Sequence, residues 1–326
     1  MVSASQTPLH IVGRFDDPHT GAERSLPDLA DLLRGRRVTH LWSDMPVHPW
    51  FAARGVRQLG PAPGGHPVGG GLLVGGVHVQ LGRWLEVASP ERVTLRYNLP
   101  NHQRLFDAIA RIRSATGLDP ALVFVSQALQ LSVGLPGRVE PSLIRLEPFL
   151  DLPVAPPRAG PLAVGRVSRD VVEKHDPQDV GLYRMLAARG VRVRLMGASC
   201  LQPWLADVSG VDLLPAGAQP VTEFLASLDV FFYRTGSFTE PYGRVVLEAM
   251  AAGLPVIAAA SGGYAEQMTP GRDGFPVRTQ EEALQALQAL LHSRELRDRV
   301  GRAARLRAQA VHGPQAIEAL VRRYLQ

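Results

Sequence analysis

The stretch "SFTEPYGRVVLEAMAAGLPVIAAASGGYAEQ", Ser237–Gln267, decides how this chain is read. Just before it, "VFFYR" has the length and apolarity of a buried strand, and "TGSFTEP" then turns into the helical pattern "YGRVVLEAMAAG". Pro241 suits the first helical position, where an N–H would have no partner, and Gly253 marks the helix end. "PVIAAA" reads as the next strand and "GGYAEQM" as a short helix. Strand, helix and strand in this order is the repeating unit of a parallel sheet covered by helices.

Two acids stand in this segment, Glu240 and Glu248. Val245, Val246 and Leu247 precede Glu248 and "AMAAGLPVIAAA" follows it, so that its surroundings are apolar nearly all round. A carboxylate there needs a ligand or a positive partner, because burying it alone is costly. One reading makes Glu240 a helix-capping acid and Glu248 a solvated helix residue. The other starts from the helix tip, whose N–H groups and dipole favour a phosphate or carboxylate, with Gly243 letting the backbone approach closely. Glu240 then accepts hydrogen bonds from one set of hydroxyls and Glu248, about two turns on, from a second. Sugars and riboses offer such pairs.

Outward from this segment the alternation continues. Ahead of it lie strand "LAVGRVS", helix "DVGLYRMLAARG", strands "VRVRLMG" and "VDLLPA", and helix "VTEFLASLD"; behind it come strand "GFPV" and a long helical C-terminus from Gln280. The first half repeats the pattern. "LHIVGRF", "VTHLWS", "RVTLRYN" and "ALVFVSQAL" read as strands, and "AERSLPDLADLLRG" and "NHQRLFDAIARIRSATG" as helices, the latter with Leu105, Ile109 and Ile112 on one stripe. "GGLLVGGVHVQ" is a glycine-broken strand pair or a loop, and "GPAPGGHPVGGG", Gly60–Gly71, a surface loop. Prolines crowd without helical period over Glu147–Pro161, which divides the chain into domains at 1–155 and 156–326, the last helix being open to a return to the first domain. Ligands of such sheets sit outside the carboxyl ends of the strands.

Composition narrows the function classes. The 326 residues exceed what one core usually serves, and 45% hydrophobic with 20% charged residues is ordinary for a globular chain. The one cysteine, Cys200, asks for no oxidising compartment, and the N-terminus lacks a signal-peptide pattern, so the cytoplasm is the default. A net charge of +5 without a nucleic-acid-binding signature fits phosphate-bearing small molecules or a lightly anionic membrane face equally well. Of 35 basic residues only Lys174 is lysine. Asp16 and Asp17 are too short a pair to argue for a metal, the ten histidines show no ligand spacing, and neither a P-loop nor a G-x-S-x-G elbow is present.

The block "EPYGRVVLEAMAAGLPVIA" followed by "SGGYAE" resembles the signature of retaining family-4 glycosyltransferases, whose hallmark is two glutamates separated by seven residues. The resemblance implies an α/β chain of GT-B fold, two doubly wound Rossmann-like domains facing a central cleft, and transfer of a sugar from a nucleotide-diphosphate sugar to an acceptor hydroxyl, without a metal or other cofactor. It implies that Glu240 contacts the sugar, Glu248 the ribose, and Pro241, Tyr242 and Gly243 the sugar and diphosphate through their backbone. "VGRVSRDVVEKHDP" is similar to the family's phosphate-binding strand end, which casts Arg166 and Lys174 as cations on the diphosphate, with Arg169 competing for the arginine role. On the acceptor side the likeness implies a place near the reaction for Gly21 in "TGAERSLPDLADLL". In "RVTLRYNLPNH" the family's strand-end histidine is replaced by Asn98, with His102 four residues on. The acceptor is a glycan, a lipid-linked or a small molecule, met in the cytoplasm or peripherally at the inner membrane face, with no nucleic acid involved. A binding subunit without turnover and a nucleotide-sugar epimerase are the competing readings; a pyridoxal-dependent phosphorylase is disfavoured, since Lys174 is the one lysine and sits in the phosphate-like loop.

Overall fold

A computed structural model describes residues 5–18, 20–152 and 160–326. The chain divides into two compact units, Met1–Leu143 with Gln315–Gln326, and Ile144–Pro314. The expected boundary between 155 and 156 falls within residues 153–159, outside the described residues; the described residues 144–152 pack with the second unit.

The first unit is built on seven parallel strands, β1 (Ser5–Gly13), β2 (Arg37–Ser43), β3 (Val56–Gln58), β4 (Gly71–Val74), β5 (Arg92–Tyr97), β6 (Ala121–Phe124) and β7 (Arg138–Val139), in the order β3-β2-β1-β4-β5-β6-β7. Ile11 on β1 stands opposite Leu41 on β2 and Leu73 on β4, an apolar row such as a sheet covered on both faces requires. Its helices are α1 (Gly21–Leu33), α2 (Pro49–Ala52), α3 (Trp84–Ala88), α4 (His102–Thr116) and α5 (Gln127–Val133). The core gathers Ile11, Phe15, Leu29, Leu33 and Leu73.

The second unit opens with α6 (Glu147–Leu150) and carries six parallel strands, β8 (Ala163–Val167), β9 (Arg192–Met196), β10 (Val211–Leu214), β11 (Val230–Tyr233), β12 (Val256–Ala259) and β13 (Phe275–Val277), ordered β10-β9-β8-β11-β12-β13. Helices α7 (Asp179–Ala188), α8 (Gln202–Leu205), α9 (Val221–Ala226), α10 (Arg244–Ala251), α11 (Gln280–His292) and α12 (Arg294–His312) accompany it. The last helix, α13 (Pro314–Leu325), belongs from Gln315 to the first unit, where Leu320, Val321 and Tyr324 join the core. The Tyr324 hydroxyl donates to Glu140 at 2.8 Å, and Arg37 donates to the Tyr324 carbonyl at 2.5 Å. Among the described residues no helix is long and apolar enough to cross a membrane.

Local chemistry explains where the elements depart from expectation. "ALVFVSQAL" is not one strand: β6 stops at Phe124 and Ser126 caps α5, its hydroxyl accepting the Leu129 N–H at 3.2 Å. "GGLLVGGVHVQ" is the single short strand β4 and a loop; a side chain at Gly75 would meet Leu26 at 2.4 Å. The helical C-terminus is three helices, since Ser293 caps α12 and Pro314 opens α13. On α4 the buried positions are Leu105, Ala108 and Ile112, with Ile109 only half-buried.

One buried histidine makes the first unit sensitive to acid. His10 on β1 accepts the Trp42 indole N–H through Nδ1 at 3.1 Å, and its Nε2 lies 3.3 Å from the Val68 carbonyl, so that the ring is a neutral Nε2–H tautomer. Burial first, then the neighbouring His40, lowers its pKa to about 4. The unfolded chain, with an ordinary histidine pKa of about 6.5, binds the proton earlier. Stability from this group is therefore complete above about pH 6.5 and lost as pH falls through 4. The urea midpoint is expected to decline over this window, and less steeply in His10→Gln, which can supply the same acceptor and donor without titrating; equal slopes in the two proteins would refute the assignment.

Candidate functional site

In the second unit the strand order reverses between β8 and β11, the kind of switch point outside whose strand ends open α/β sheets bind their ligands. The β8 loop passes through a 3-10 turn at Val172–Lys174. The β11 loop runs from Arg234 to Gly243, where α10 begins. Backbone bonds stitch the two together: the Glu173 carbonyl accepts from Gly236 N–H at 3.1 Å and from Phe238 N–H at 3.2 Å.

Arg166, the fourth residue of β8, fastens the same loops from beneath. Its guanidinium is fully buried, donating to the Arg234 carbonyl at 2.6 Å and to the Lys174 carbonyl at 2.5 Å, with the Tyr233 ring 4.6 Å away. The expected phosphate contact would require this guanidinium to leave both carbonyls; as it stands, Arg166 is buried and shapes the loops. Arg169, by contrast, is exposed and lies 5.8 Å from the Phe238 ring, on whose face the Lys174 ammonium also rests at 3.6 Å.

Lys174 and Glu240 are in direct contact. The ammonium donates to Glu240 Oε2 at 2.5 Å, and the Tyr233 hydroxyl donates to the same oxygen at 2.9 Å. The lysine is 5% exposed, and burial pulls its pKa below the ordinary lysine range while Glu240 pulls it back up. The backbone of Glu240 is held as well, its carbonyl accepting the Gly263 N–H at 2.8 Å.

The helix start differs from expectation by three residues. Gly243 is the N-cap of α10, so Pro241 lies in the preceding turn and not at the first helical position. The turn needs Gly243: its φ is +73°, and an added Cβ would lie 2.2 Å from the Tyr264 ring. Pro241 has no N–H, and backbone donation within this turn rests on Tyr242 and Gly243. The Tyr242 side chain is buried against α12, its hydroxyl 2.6 Å from His312 Nε2, which limits it to a backbone role. Glu248, one turn into α10, finds a positive partner that sequence reasoning missed, Arg244 at 3.8 Å and four residues earlier.

The acceptor-side candidates lie on the first unit, whose strand order reverses between β1 and β4. Gly21 is the first residue of α1, the helix that follows β1. Asn98 follows β5 and is engaged with backbone, its amide donating to the Gly75 carbonyl beyond β4 at 3.0 Å. His102 opens α4, is exposed, and lies 3.4 Å from the Ser132 hydroxyl on α5. The strand ends also carry titratable groups that sequence reasoning passed over. Arg14 pairs with Asp16 at 2.9 Å, and Asp44 accepts the Gln80 N–H at 2.6 Å. His78, in the loop after β4, lies 3.0 Å from Arg104; burial, then Arg104 and Arg14, lower its pKa. Glu23 accepts from the Thr20 hydroxyl at 2.9 Å, and burial raises its carboxyl to about 7, with Asp16 adding to the shift. The T-x-x-E spacing of Thr20 and Glu23, and the histidine after a glycine-broken strand, were the available signals. Among the described residues no group of three or more metal-ligating side chains comes together.

Residues 213–307, which include β11, Glu240, α10 and Glu248, match the family described as glycosyl transferases group 1. The chain is 40% identical over 90 residues to a sulfoquinovosyl transferase of Arabidopsis thaliana, covering 26% of this chain and 17% of that protein. It is 34% identical over 137 residues to a GDP-mannose-dependent alpha-mannosyltransferase of Mycobacterium tuberculosis, covering 40% of this chain and 35% of the relative. The aligned region thus spans about a sixth to a third of the length of these curated relatives. Among solved structures, HepE of Anabaena in complex with UDP-glucose superposes with a TM-score of 0.72 at 17% identity, over 98% of this chain and 99% of that one. A glycosyltransferase from Rickettsia africae superposes with a TM-score of 0.73 at 12% identity, over 98% of each chain. With the two parallel sheets described above, these likenesses establish the α/β GT-B fold.

Gly243→Ala tests the geometry of the helix start. It combines a strained backbone with a collision against Tyr264, and is expected to lower stability by about 1 kcal/mol or more. Thermal unfolding of the variant reads this directly; an unchanged melting temperature would show that the turn tolerates a side chain.

Proposed function

We propose that the chain transfers a sugar from a nucleotide-diphosphate sugar to an acceptor hydroxyl, with retention of anomeric configuration and without a metal. The observation that carries this is the Lys174–Glu240 contact at the mouth of the β8/β11 switch point, beside the start of α10. Lys174, Arg169 and the α10 tip balance charge on the departing diphosphate, work that a divalent cation does elsewhere. Glu240 Oε1, whose companion oxygen holds both protein donors, accepts from a hydroxyl of the transferred sugar. Glu248 accepts from the ribose. Support for a nucleotide-sugar donor comes from HepE, a structural neighbour seen with UDP-glucose.

In this reading the sugar–phosphate bond breaks as the acceptor oxygen bonds to the same face of the anomeric carbon. A departing phosphate oxygen takes the acceptor proton, so that no protein base is needed. The first unit supplies the acceptor side, through Gly21, Asn98 and the polar groups that follow its strands; His102, exposed at the start of α4, contributes least. We assign the reaction to the cytoplasm, with membrane contact decided by whether the acceptor is lipid-linked.

A thermal-shift panel of UDP, GDP, UDP-glucose and GDP-mannose tests donor binding, since a ligand of the native state alone raises the melting temperature. Lys174→Ala and Glu240→Ala are expected to lower transfer by about a hundredfold or more, whereas Glu248→Gln weakens nucleotide affinity. Full activity in both alanine variants would remove the site assignment, and donor binding without turnover would favour a binding subunit.

A further inference from the structure

Among the described residues the Glu240 carboxylate receives two hydrogen bonds, and both end on Oε2: the Lys174 ammonium at 2.5 Å and the Tyr233 hydroxyl at 2.9 Å. Its other oxygen takes no protein hydrogen bond among the described residues. The two donors differ in what else they must do. Lys174 stands on a turn beside exposed Arg169 and, in the function proposed above, shares its protons with the diphosphate. Tyr233 ends the buried strand β11, and among the described residues its hydroxyl has no second partner.

The Tyr233 ring is unusually well fixed. The Arg166 guanidinium lies 4.6 Å from its centre, Phe231 stacks near-parallel at 6.0 Å, and Tyr264 meets it edge-on at 5.8 Å. Tyr264 in turn occupies the room left by two glycines, since a Cβ at Gly243 would lie 2.2 Å from its ring and one at Gly262 would lie 2.3 Å from it. The helix start that holds the Glu240 turn and the ring that orients its carboxylate are therefore packed as one body.

We propose that Tyr233 is the positioning residue of Glu240: its hydroxyl holds Oε2 while Lys174 engages the donor, so that Oε1 alone is presented to the sugar. The inference rests on the reading given under Proposed function. A hydroxyl that only donates suits this task, and burial, with the charge of Glu240, keeps the phenol protonated far above neutral pH. Without it, the carboxylate would be free to rotate once the lysine turned to the diphosphate, and either oxygen would face the substrate.

The test is Tyr233→Phe, which keeps the ring and removes the hydroxyl, combined with Glu240→Gln in a double-mutant cycle. UDP and GDP are titrated calorimetrically, and turnover is followed as sugar release and transfer from UDP-glucose and GDP-mannose. Expected are nucleotide affinities within about twofold of the parent, a kcat lowered about tenfold or more, and no further loss when the substitution is added to Glu240→Gln. An unchanged kcat, an equal loss in the Glu240→Gln background, or nucleotide affinity falling as far as kcat would overturn the inference. Collapse of the fold in Tyr233→Phe would do so too, by making the hydroxyl structural. If the parent protein binds none of the four nucleotides, the donor-site reading itself falls and takes this inference with it.

Discussion

The second unit depends on one buried cation, the Arg166 guanidinium, placed where the sheet changes direction. Taking such a group out of water costs several kcal/mol unless it is well paired. Here its two terminal nitrogens donate to the Lys174 and Arg234 carbonyls and the Tyr233 face lies against it, while its Nε takes no hydrogen bond among the described residues. The consequence reaches Lys174 and Glu240. By gripping the carbonyl of Lys174, Arg166 fixes the turn that aims the ammonium; by gripping that of Arg234, it fixes the departure of the loop that carries Glu240. Arg234 is itself anchored, to Asp179 at 2.7 Å and to Asp176 at 2.5 Å. A network of arginines under the loops thus holds the lysine and the carboxylate, while Arg169 stays exposed.

Much of this was legible in the sequence where a residue's neighbours leave it few options. The run around Glu248 is apolar enough that an acid within it had to have a partner, and Lys174 stood out as the one lysine among 35 basic residues. The strand-helix alternation announced two parallel sheets because buried parallel strands have a recognisable length and composition. What could not be read was which of two nearby arginines is submerged. Arg166 and Arg169 are three residues apart, and only the packing of β11 beside β8 buries the first and leaves the second exposed. Pro241 misled for a related reason: the chain stays in a turn until Gly243, whose left-handed backbone packs against Tyr264, far along the sequence.

The first unit was harder to read, because its polar strand-end groups are scattered through the sequence. Arg14, Asp16, Glu23, Asp44 and His78 carry no common motif. Asn98 and His102 were singled out by their place near one strand end, yet one is tied to the Gly75 carbonyl and the other lies exposed beside Ser132. In the function proposed above, the contrast between the units follows from the chemistry each would supply: a diphosphate and a ribose would restrict residue types and spacing tightly, whereas a hydroxyl acceptor would be met by many arrangements of polar groups.

The docking of α13 onto the first unit has a consequence for how the chain is made. Leu320, Val321 and Tyr324 belong to the same apolar core as Ile11 and Leu73, yet the whole of Ile144–Pro314 lies between them in the sequence. During synthesis from the N-terminus, the earlier unit must leave the ribosome with its core incomplete and wait until the later one has emerged. Domains ordinarily fold in the order in which they are translated. Here the order of completion is inverted, and the half begun first is the last to be finished.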